Sequence, residues 1–169
     1  MWYVLRTSEG NEESTRQMIE THIDRRLFTR CIVPYRKKRH FHQGRSWVIQ
    51  QLLFPSYVFI ETDHIDEFMK RIQWYPGRNM MLTTDELCCP IYSEEEYFLT
   101  KLLNEQDVID ISEGYVEGDR LHVISGPLVG QEEHIKKVVW RNGVAILEMN
   151  FFNRTNRIRL GLDKTDGRR

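Results

Sequence analysis

Basic side chains are the groups in this sequence whose types and spacing could carry out a chemical task, and they form two sets. The first set follows a strand-like segment and comprises Arg36, Lys37, Lys38 and Arg39. The second set lies near the C-terminus and comprises Lys136, Lys137, Arg141, Arg154, Arg157 and Arg159. Glu148 is the only acidic residue in the stretch that these residues span. Clustered cations of this kind are typical of surfaces that contact nucleic acid phosphates.

Each set also has a plainer interpretation. In strand geometry Arg36 and Lys38 face opposite to their neighbours, so one flat cationic surface is not assured, and a solvated hairpin explains the first set equally well. Arg157 and Arg159 share one face of the last predicted strand. Aromatic residues near the second set, Trp140 and Phe152, favour RNA, whose bases stack while its phosphates pair. The alternative is the polar exterior of a small barrel.

The distribution of charge supports a polyanion-facing surface. The 169 residues have a net charge of −1. Residues 25–60 nevertheless hold eight Lys or Arg and no acid, and acids dominate residues 61–110. Residues 113–169 hold ten basic and eight acidic residues. Such blocks indicate a local patch rather than a uniformly basic protein.

Several classes of function are excluded by what the sequence lacks. No nucleophile–base pairing, phosphate-binding loop or HExxH motif occurs, so we expect no enzyme and no cofactor. His40 and His42 have no third ligand nearby, and three cysteines with an adjacent pair, Cys88 and Cys89, fit neither a disulfide framework nor a zinc site, so no metal is expected. No signal peptide or membrane span is predicted, and we expect a cytoplasmic protein.

The first 104 residues predict an α+β domain. Strand-like segments occupy residues 2–7, 31–41, 46–53, 57–62 and 79–83. Helical spacing is found in three groups of apolar residues: Met18, Ile19, Ile23 and Leu27; Ile65, Phe68, Met69 and Ile72; Phe98, Leu99, Leu102 and Leu103. The predicted caps are Ser8 or Asn11, then Asp63, then the capping box of Ser93 and Glu96.

The remainder of the chain predicts a small β-barrel. The polar stretch "NEQDVIDISEG" has no helical period and is predicted to be the linker, over residues 105–113. Strands are expected around Leu121 and Val123, over residues 135–140 and 144–149, and near the C-terminus, where Ile158, Leu160 and Leu162 share a face. Asn142-Gly143 predicts a type I′ hairpin turn.

Two motifs carry a family resemblance. The C-terminal segment resembles the KOW motif, an SH3-like barrel, through Gly118, Asp119, Leu121, Val123, Gly126, Pro127, Gly130 and Ile135, and through "NRIRLGL". Glu133 stands where that pattern usually has glycine. "WYVLRTSEGNEE" followed by "LLFPSYVFIE" resembles the NGN domain of NusG-type elongation factors, with Ser56 where the housekeeping pattern FPGYV has glycine. The resemblance implies an NGN domain over residues 1–104, a linker over 105–113 and a KOW domain over 114–169.

The resemblance also implies partners and residues. In the family the NGN domain docks on RNA polymerase, and Phe54, Tyr57 and Phe59 match the docking positions, although the residues alone favour core side chains. The chain is most similar to antiterminators of the LoaP type through "VPYRKKRHFHQG" and "NRTNRIRLGLD". That similarity implies operon-specific suppression of pausing and termination. It also implies contacts to nascent leader RNA, for example a hairpin, or to non-template DNA.

Two other functions stay open at this point. One is a housekeeping elongation factor whose KOW domain binds Rho or a ribosomal protein. The other is a KOW-type RNA-binding protein with no polymerase role. For each we expect a monomer without membrane contact.

Overall fold

The computed structural model describes residues 1–74, 88–151 and 154–166. The predicted strand at 79–83 and the aromatic residue Phe152 lie outside these ranges. The chain divides into two compact units. Unit 1 comprises Met1–Pro34 and Phe54–Glu96, and unit 2 comprises Tyr35–Leu53 and Tyr97–Arg169. The predicted domain boundary at residue 104 remains a prediction.

The described residues contain the following helices and strands. The helices are α1 Glu12–His22, α2 Ile65–Trp74 and α3 Ser93–Leu102. The first six strands are β1 Trp2–Arg6, β2 Arg30–Ile32, β3 Tyr35–His42, β4 Arg45–Leu52, β5 Tyr57–Glu61 and β6 Cys88–Pro90. The remaining strands are β7 Val108–Ile109, β8 Ser112–Glu117, β9 Arg120–Ser125, β10 Ile135–Val139, β11 Val144–Phe151 and β12 Arg154–Lys164. The predicted α+β class is confirmed.

Unit 1 is built on an antiparallel sheet with the order β2-β5-β1-β6. The central strand β5 is buried on both faces, with Val58, Phe59 and Ile60 fully buried. Helix α1 contacts β2 and β5 and contributes Met18 and Ile19 to this core. The predicted apolar periodicity of the first helix therefore identified real core residues.

Helix α1 is shorter than predicted. It ends at His22, because Ile23 already has an extended backbone with φ −94° and ψ 136°. Leu27 belongs to a separate 3-10 turn, Arg25–Leu27, which the Asp24 carboxylate caps by accepting from the Arg26 N–H at 2.9 Å. Ile23 and Leu27 are nevertheless buried. Helical spacing thus predicted the core correctly and the helix end wrongly.

The predicted cap of α2 is wrong. The residue directly before this helix is His64, whose N–H donates to the Thr62 hydroxyl at 2.8 Å. Asp63 lies 3.4 Å from the amino group of Met1. In the described structure its carboxylate therefore pairs with Met1.

The cap position of α3 is shifted by one residue from the prediction. Because the helix begins at Ser93, the cap position is Tyr92 rather than Ser93. The Tyr92 N–H donates to the buried Glu95 carboxylate at 2.8 Å, which is the back-bond that a Glu at the third helical position makes. The predicted capping box of Ser93 and Glu96 is therefore wrong, and the structure shows only the half of such a box that Glu95 makes with the Tyr92 N–H.

The strand predicted over residues 31–41 is two strands. β2 ends at Ile32, and β3 begins at Tyr35 after Pro34. Proline has no N–H to continue a sheet ladder. β2 pairs with β5 in unit 1, whereas β3 pairs with β4 and β7 in unit 2.

Unit 2 contains two sheets. One has the order β4-β3-β7, and the other is a curled five-stranded sheet with the order β10-β11-β12-β8-β9. On β12 the predicted face of Ile158, Leu160 and Leu162 is buried together with Ala145 and Leu147 of β11. This half-barrel agrees with the predicted small β-barrel.

The stretch predicted as a linker takes part in both sheets. Val108 pairs in parallel with Tyr35 of β3, and Ser112 begins β8. Val108, Ile109 and Ser112 are buried. Asn104 shapes the turn before them, because its side-chain oxygen accepts from Val108 N–H at 3.0 Å. The polar composition of this stretch therefore did not indicate that it contains β-strands.

The hairpin turn with two left-handed residues lies at a different position in the chain from the one predicted. Trp140–Asn142 form a 3-10 turn, and of the predicted pair Asn142-Gly143 only Gly143 has a positive φ, 60°. Both residues of Gln43-Gly44, which joins β3 to β4, have positive φ values of 47° and 73°. The prediction for Asn142-Gly143 is therefore wrong, and the two-residue hairpin turn with left-handed residues joins β3 and β4.

Candidate nucleic-acid interface

Alternation along β3 divides the first basic set into two pairs. The Lys37 ammonium lies 2.7 Å from the Asp110 carboxylate. The Arg39 guanidinium donates from two nitrogens to Asp163, with contacts of 2.9 and 2.6 Å to one oxygen. The hydrogen bond from Lys37 holds the pKa of Asp110 below its ordinary value. These two cations are therefore engaged by carboxylates of their own unit.

The other two cations of β3 line a groove in unit 2. Arg36 and Lys38 line it together with Arg39, His40, Phe41 and Arg159. Asn142 and three apolar side chains of β10 and β11, Val139, Val144 and Ile146, complete the groove, whose volume is about 380 Å³. The structure thus brings Arg159, a member of the second set, to the first set.

Arg36 is a half-buried charge that lines this groove. Its guanidinium donates to the backbone carbonyl of Arg159. Its Nε is buried and has no hydrogen-bond partner among the described residues. Burial and, secondarily, the charge of Arg159 lower the pKa of Arg36. The groove therefore has a surplus of positive charge.

A glycine that the sequence did not single out permits this arrangement. A Cβ atom on Gly161 would lie 2.7 Å from the Lys37 carbonyl oxygen and 2.8 Å from Cγ1 of Ile111. The backbones of β3 and β12 therefore approach too closely for any side chain at this position. A glycine inside the alternating stretch "RLGLD" is the signal that could have revealed the contact.

The rest of the second set lies outside the lining of the groove. Its members outside the groove are all exposed and comprise Lys136, Lys137, Arg141, Arg154 and Arg157. Arg157 pairs with Glu148, its cross-strand neighbour, at 2.9 Å. The role of these exposed residues in binding nucleic acid stays a prediction.

An exposed aromatic pair lies beside the groove and was missed by the sequence analysis. His40 and Trp47 face each other across β3 and β4, with ring centroids 4.8 Å apart. Trp47 is 46% exposed, and the groove-lining Phe41 is 48% exposed. Aromatic side chains next to cations provide a surface on which bases can stack.

The three predicted docking residues differ in burial. Phe59 is fully buried and packs against Trp2 and Phe54, with ring centroids 6.4 and 5.7 Å away. Phe54 is buried as well, whereas Tyr57 is half-buried. Of the three, Tyr57 offers a partner the most surface. The docking role stays a prediction.

The loop before Tyr57 is held by backbone hydrogen bonds. Ser56 has a left-handed φ of 70°. Its N–H donates to the buried Glu12 carboxylate at 2.7 Å, and its carbonyl accepts from the Thr7 N–H at 2.9 Å. These bonds from α1 and the end of β1 fix the conformation of the loop.

The described part of the chain shows no candidate metal site, and the thiols of two of its cysteines have raised pKa values. No group of three or more His, Cys, Asp or Glu side chains there is arranged to hold a metal ion. Burial raises the pKa of Cys31, and burial raises that of Cys88 to about 12. In the same ranges no helix combines the length and apolar character needed to cross a bilayer.

Comparison with known proteins adds a family to this geometry. Residues 1–98 match the family model described as "Transcription termination factor nusG". Among curated proteins named transcription termination/antitermination protein NusG, that of Thermus thermophilus is 22% identical over 173 residues and covers 94% of both chains. That of Bacillus subtilis is 22% identical over 179 residues, covering 98% of this chain and 97% of its own. That of Streptococcus pyogenes is 26% identical over 162 residues, covering 89% and 87%.

A solved structure shares the fold. It is titled "Domain interaction in Thermotoga maritima NusG", has a TM-score of 0.54 and is 23% identical in sequence. The match covers 95% of this chain and 92% of the other. At this level of identity the likeness concerns the fold alone.

Proposed function

The chain belongs to the NusG family of transcription termination and antitermination factors, and on that premise we propose that it binds RNA polymerase and suppresses termination at specific operons, aided by nucleic acid bound to unit 2. It is a transcription factor and not an enzyme. The antiterminator would act by differential binding, because a factor that binds the elongating state more tightly than the paused state shifts the population toward elongation.

The observation that supports the nucleic-acid part is the cationic groove. Arg36, Lys38 and Arg159 line it, and each lacks a carboxylate partner among the described residues. A groove whose charges are not neutralised within the protein suits a polyanion. The similarity to LoaP-type antiterminators points in the same direction through "VPYRKKRHFHQG", which contains the groove residues of β3.

The polymerase-binding part is supported by the arrangement around Tyr57. Its side chain is half-buried beside a loop that Glu12 and Thr7 hold in place. The buried rings of Phe54 and Phe59, on either side of Tyr57 in the sequence, pack against each other with centroids 5.7 Å apart. A fixed aromatic side chain is a good anchor in a protein interface, since little side-chain entropy is lost on binding.

A housekeeping factor is the second candidate, and one observation favours it. Ser56 adopts a left-handed φ of 70°, the conformation that glycine adopts readily. Serine at this position therefore does not require a different loop from the one that FPGYV forms. Serine in place of the glycine of FPGYV is therefore weaker evidence against a housekeeping function than the sequence suggested.

Chromatin occupancy of the tagged protein beside that of RNA polymerase tests the proposal. Confinement to one or a few long operons is expected for a specialised antiterminator. Occupancy across all active genes would replace it with the housekeeping function. Absence from polymerase-occupied genes altogether would leave a nucleic-acid-binding protein without a polymerase role.

Polymerase binding itself is tested with two matched tyrosine variants of the full chain. We expect Tyr57→Ala to reduce co-purification of RNA polymerase. Tyr92→Ala is the control, because Tyr92 is also in unit 1 and is 61% exposed. Equal recovery of polymerase with both variants would remove Tyr57 from the docking surface.

A further inference from the structure

The charge of Arg36 has no counter-ion in the described chain. Its guanidinium donates to the carbonyl of Arg159, and its Nε has no hydrogen-bond partner there. The neighbouring charge of Arg159 adds repulsion. Arg36 is half-buried, and even partial removal of a guanidinium from water without an anionic partner is unfavourable for folding. Such a group is retained at a cost unless an anion from outside occupies the site.

The carboxylates near the groove are already engaged. Asp110 pairs with Lys37, and Asp163 pairs with Arg39 through two hydrogen bonds to one oxygen at 2.9 and 2.6 Å. No residue that lines the groove within the described chain is acidic. The groove therefore cannot be neutralised from these neighbours without breaking an existing ion pair.

We propose that this groove is a phosphate-binding site, in which Arg36 and Arg159 donate to phosphate oxygens and Lys38 contributes a third positive charge. The planar guanidinium presents parallel N–H donors that match phosphate oxygens. The site deepens the nucleic-acid role proposed above and rests on it only for the source of the phosphate. A phosphodiester of nucleic acid and a small phosphate compound present the same chemistry.

The aromatic pair favours nucleic acid as the source. His40 lines the groove, and its ring lies 4.8 Å from that of Trp47. Trp47 is exposed at the rim. A base next to the bound phosphate stacks on this ring, as bases of single strands stack on aromatic side chains of other proteins.

Titration calorimetry of the full chain tests the phosphate site. The probes are inorganic pyrophosphate and an octameric single-stranded RNA, at about 0.1 M salt, where longer-range surface attraction is screened. We expect Arg36→Met and Arg159→Gln each to weaken pyrophosphate binding by about tenfold or more. Lys136→Met removes one exposed charge outside the groove and should change the affinity by less than about twofold.

Two outcomes would overturn the phosphate site. One is the absence of saturable pyrophosphate binding to the unaltered chain. The other is an equal loss of affinity in Lys136→Met and Arg36→Met, because binding would then follow net charge alone. Arg36→Met should change Tm little, since removal of a half-buried charge without a counter-ion offsets the loss of its hydrogen bond to the Arg159 carbonyl. If that variant does not fold, Arg159→Gln decides the matter, because Arg159 is exposed.

The variant Trp47→Ala identifies the source of the phosphate. A weaker affinity for RNA with an unchanged affinity for pyrophosphate supports nucleic acid. If RNA affinity is unchanged as well, the site binds phosphate and the nucleic-acid source is overturned. These titrations contain no polymerase, so their failure is distinct from failure of the antiterminator proposal, which chromatin occupancy decides.

Discussion

Replacing Ser56 by glycine should stabilise the protein, because the serine backbone is held in the left-handed region at φ 70°. That conformation costs an L-residue about 1–2 kcal/mol. The greater conformational freedom of glycine in the unfolded chain reduces this stabilisation by about 0.5–1 kcal/mol. The net gain is about 0.5–1 kcal/mol. Nothing offsets it, because the bonds to Glu12 and Thr7 are made by the Ser56 backbone and survive the change.

Thermal unfolding of Ser56→Gly beside Ser56→Ala measures this gain. For a chain of this size the expected rise in Tm for the glycine variant is about 1–4 °C. The alanine variant retains the left-handed backbone and should stay within about 0.5 kcal/mol of the unaltered protein. A glycine variant no more stable than the alanine variant would refute the argument from backbone strain.

Two further predictions concern the contacts between β3 and the rest of unit 2. Gly161→Ala should lower the free energy of unfolding by about 1–3 kcal/mol in denaturant unfolding, since the new Cβ would lie 2.7 Å from the Lys37 carbonyl oxygen. The control Lys164→Ala, at an exposed position of the same strand, should have little effect on this free energy. Hydrogen bonds from Lys37 and Asn104 hold the pKa of Asp110 below its unfolded value of about 3.9, so the stabilisation is complete above that pH and is lost as the pH falls through the folded pKa. In thermal unfolding across this acid range, Asp110→Asn should lose less stability than the unaltered chain, and parallel curves would contradict the assignment.

Local patterns in the sequence were sufficient to predict the three helices, several of the strands and much of the core. Period-two alternation predicted the buried face of Ile158, Leu160 and Leu162, and helical spacing predicted burial of Met18 and Ile19. Both patterns are properties of neighbouring residues and need no knowledge of the fold. The ends of the helices could not be predicted in the same way. The start of α3 after Tyr92 and the end of α1 before Ile23 depend on hydrogen bonds that neighbouring residues could also have made.

The two basic sets were likewise determined by the sequence itself, as were their charge and the alternation that separates Arg36 and Lys38 from Lys37 and Arg39. Which cations are engaged was decided only by tertiary structure. Asp110 lies 73 residues from Lys37, and Asp163 lies 124 residues from Arg39. The pairing of β7 with β3 brings Asp110 to Lys37, and the close approach of β12 to β3 at Gly161 brings Asp163 to Arg39. Charge belongs to the residue type, whereas neutralisation depends on which distant carboxylate folding brings within hydrogen-bonding distance. Arg36 therefore remained a candidate until the fold left it without a counter-ion.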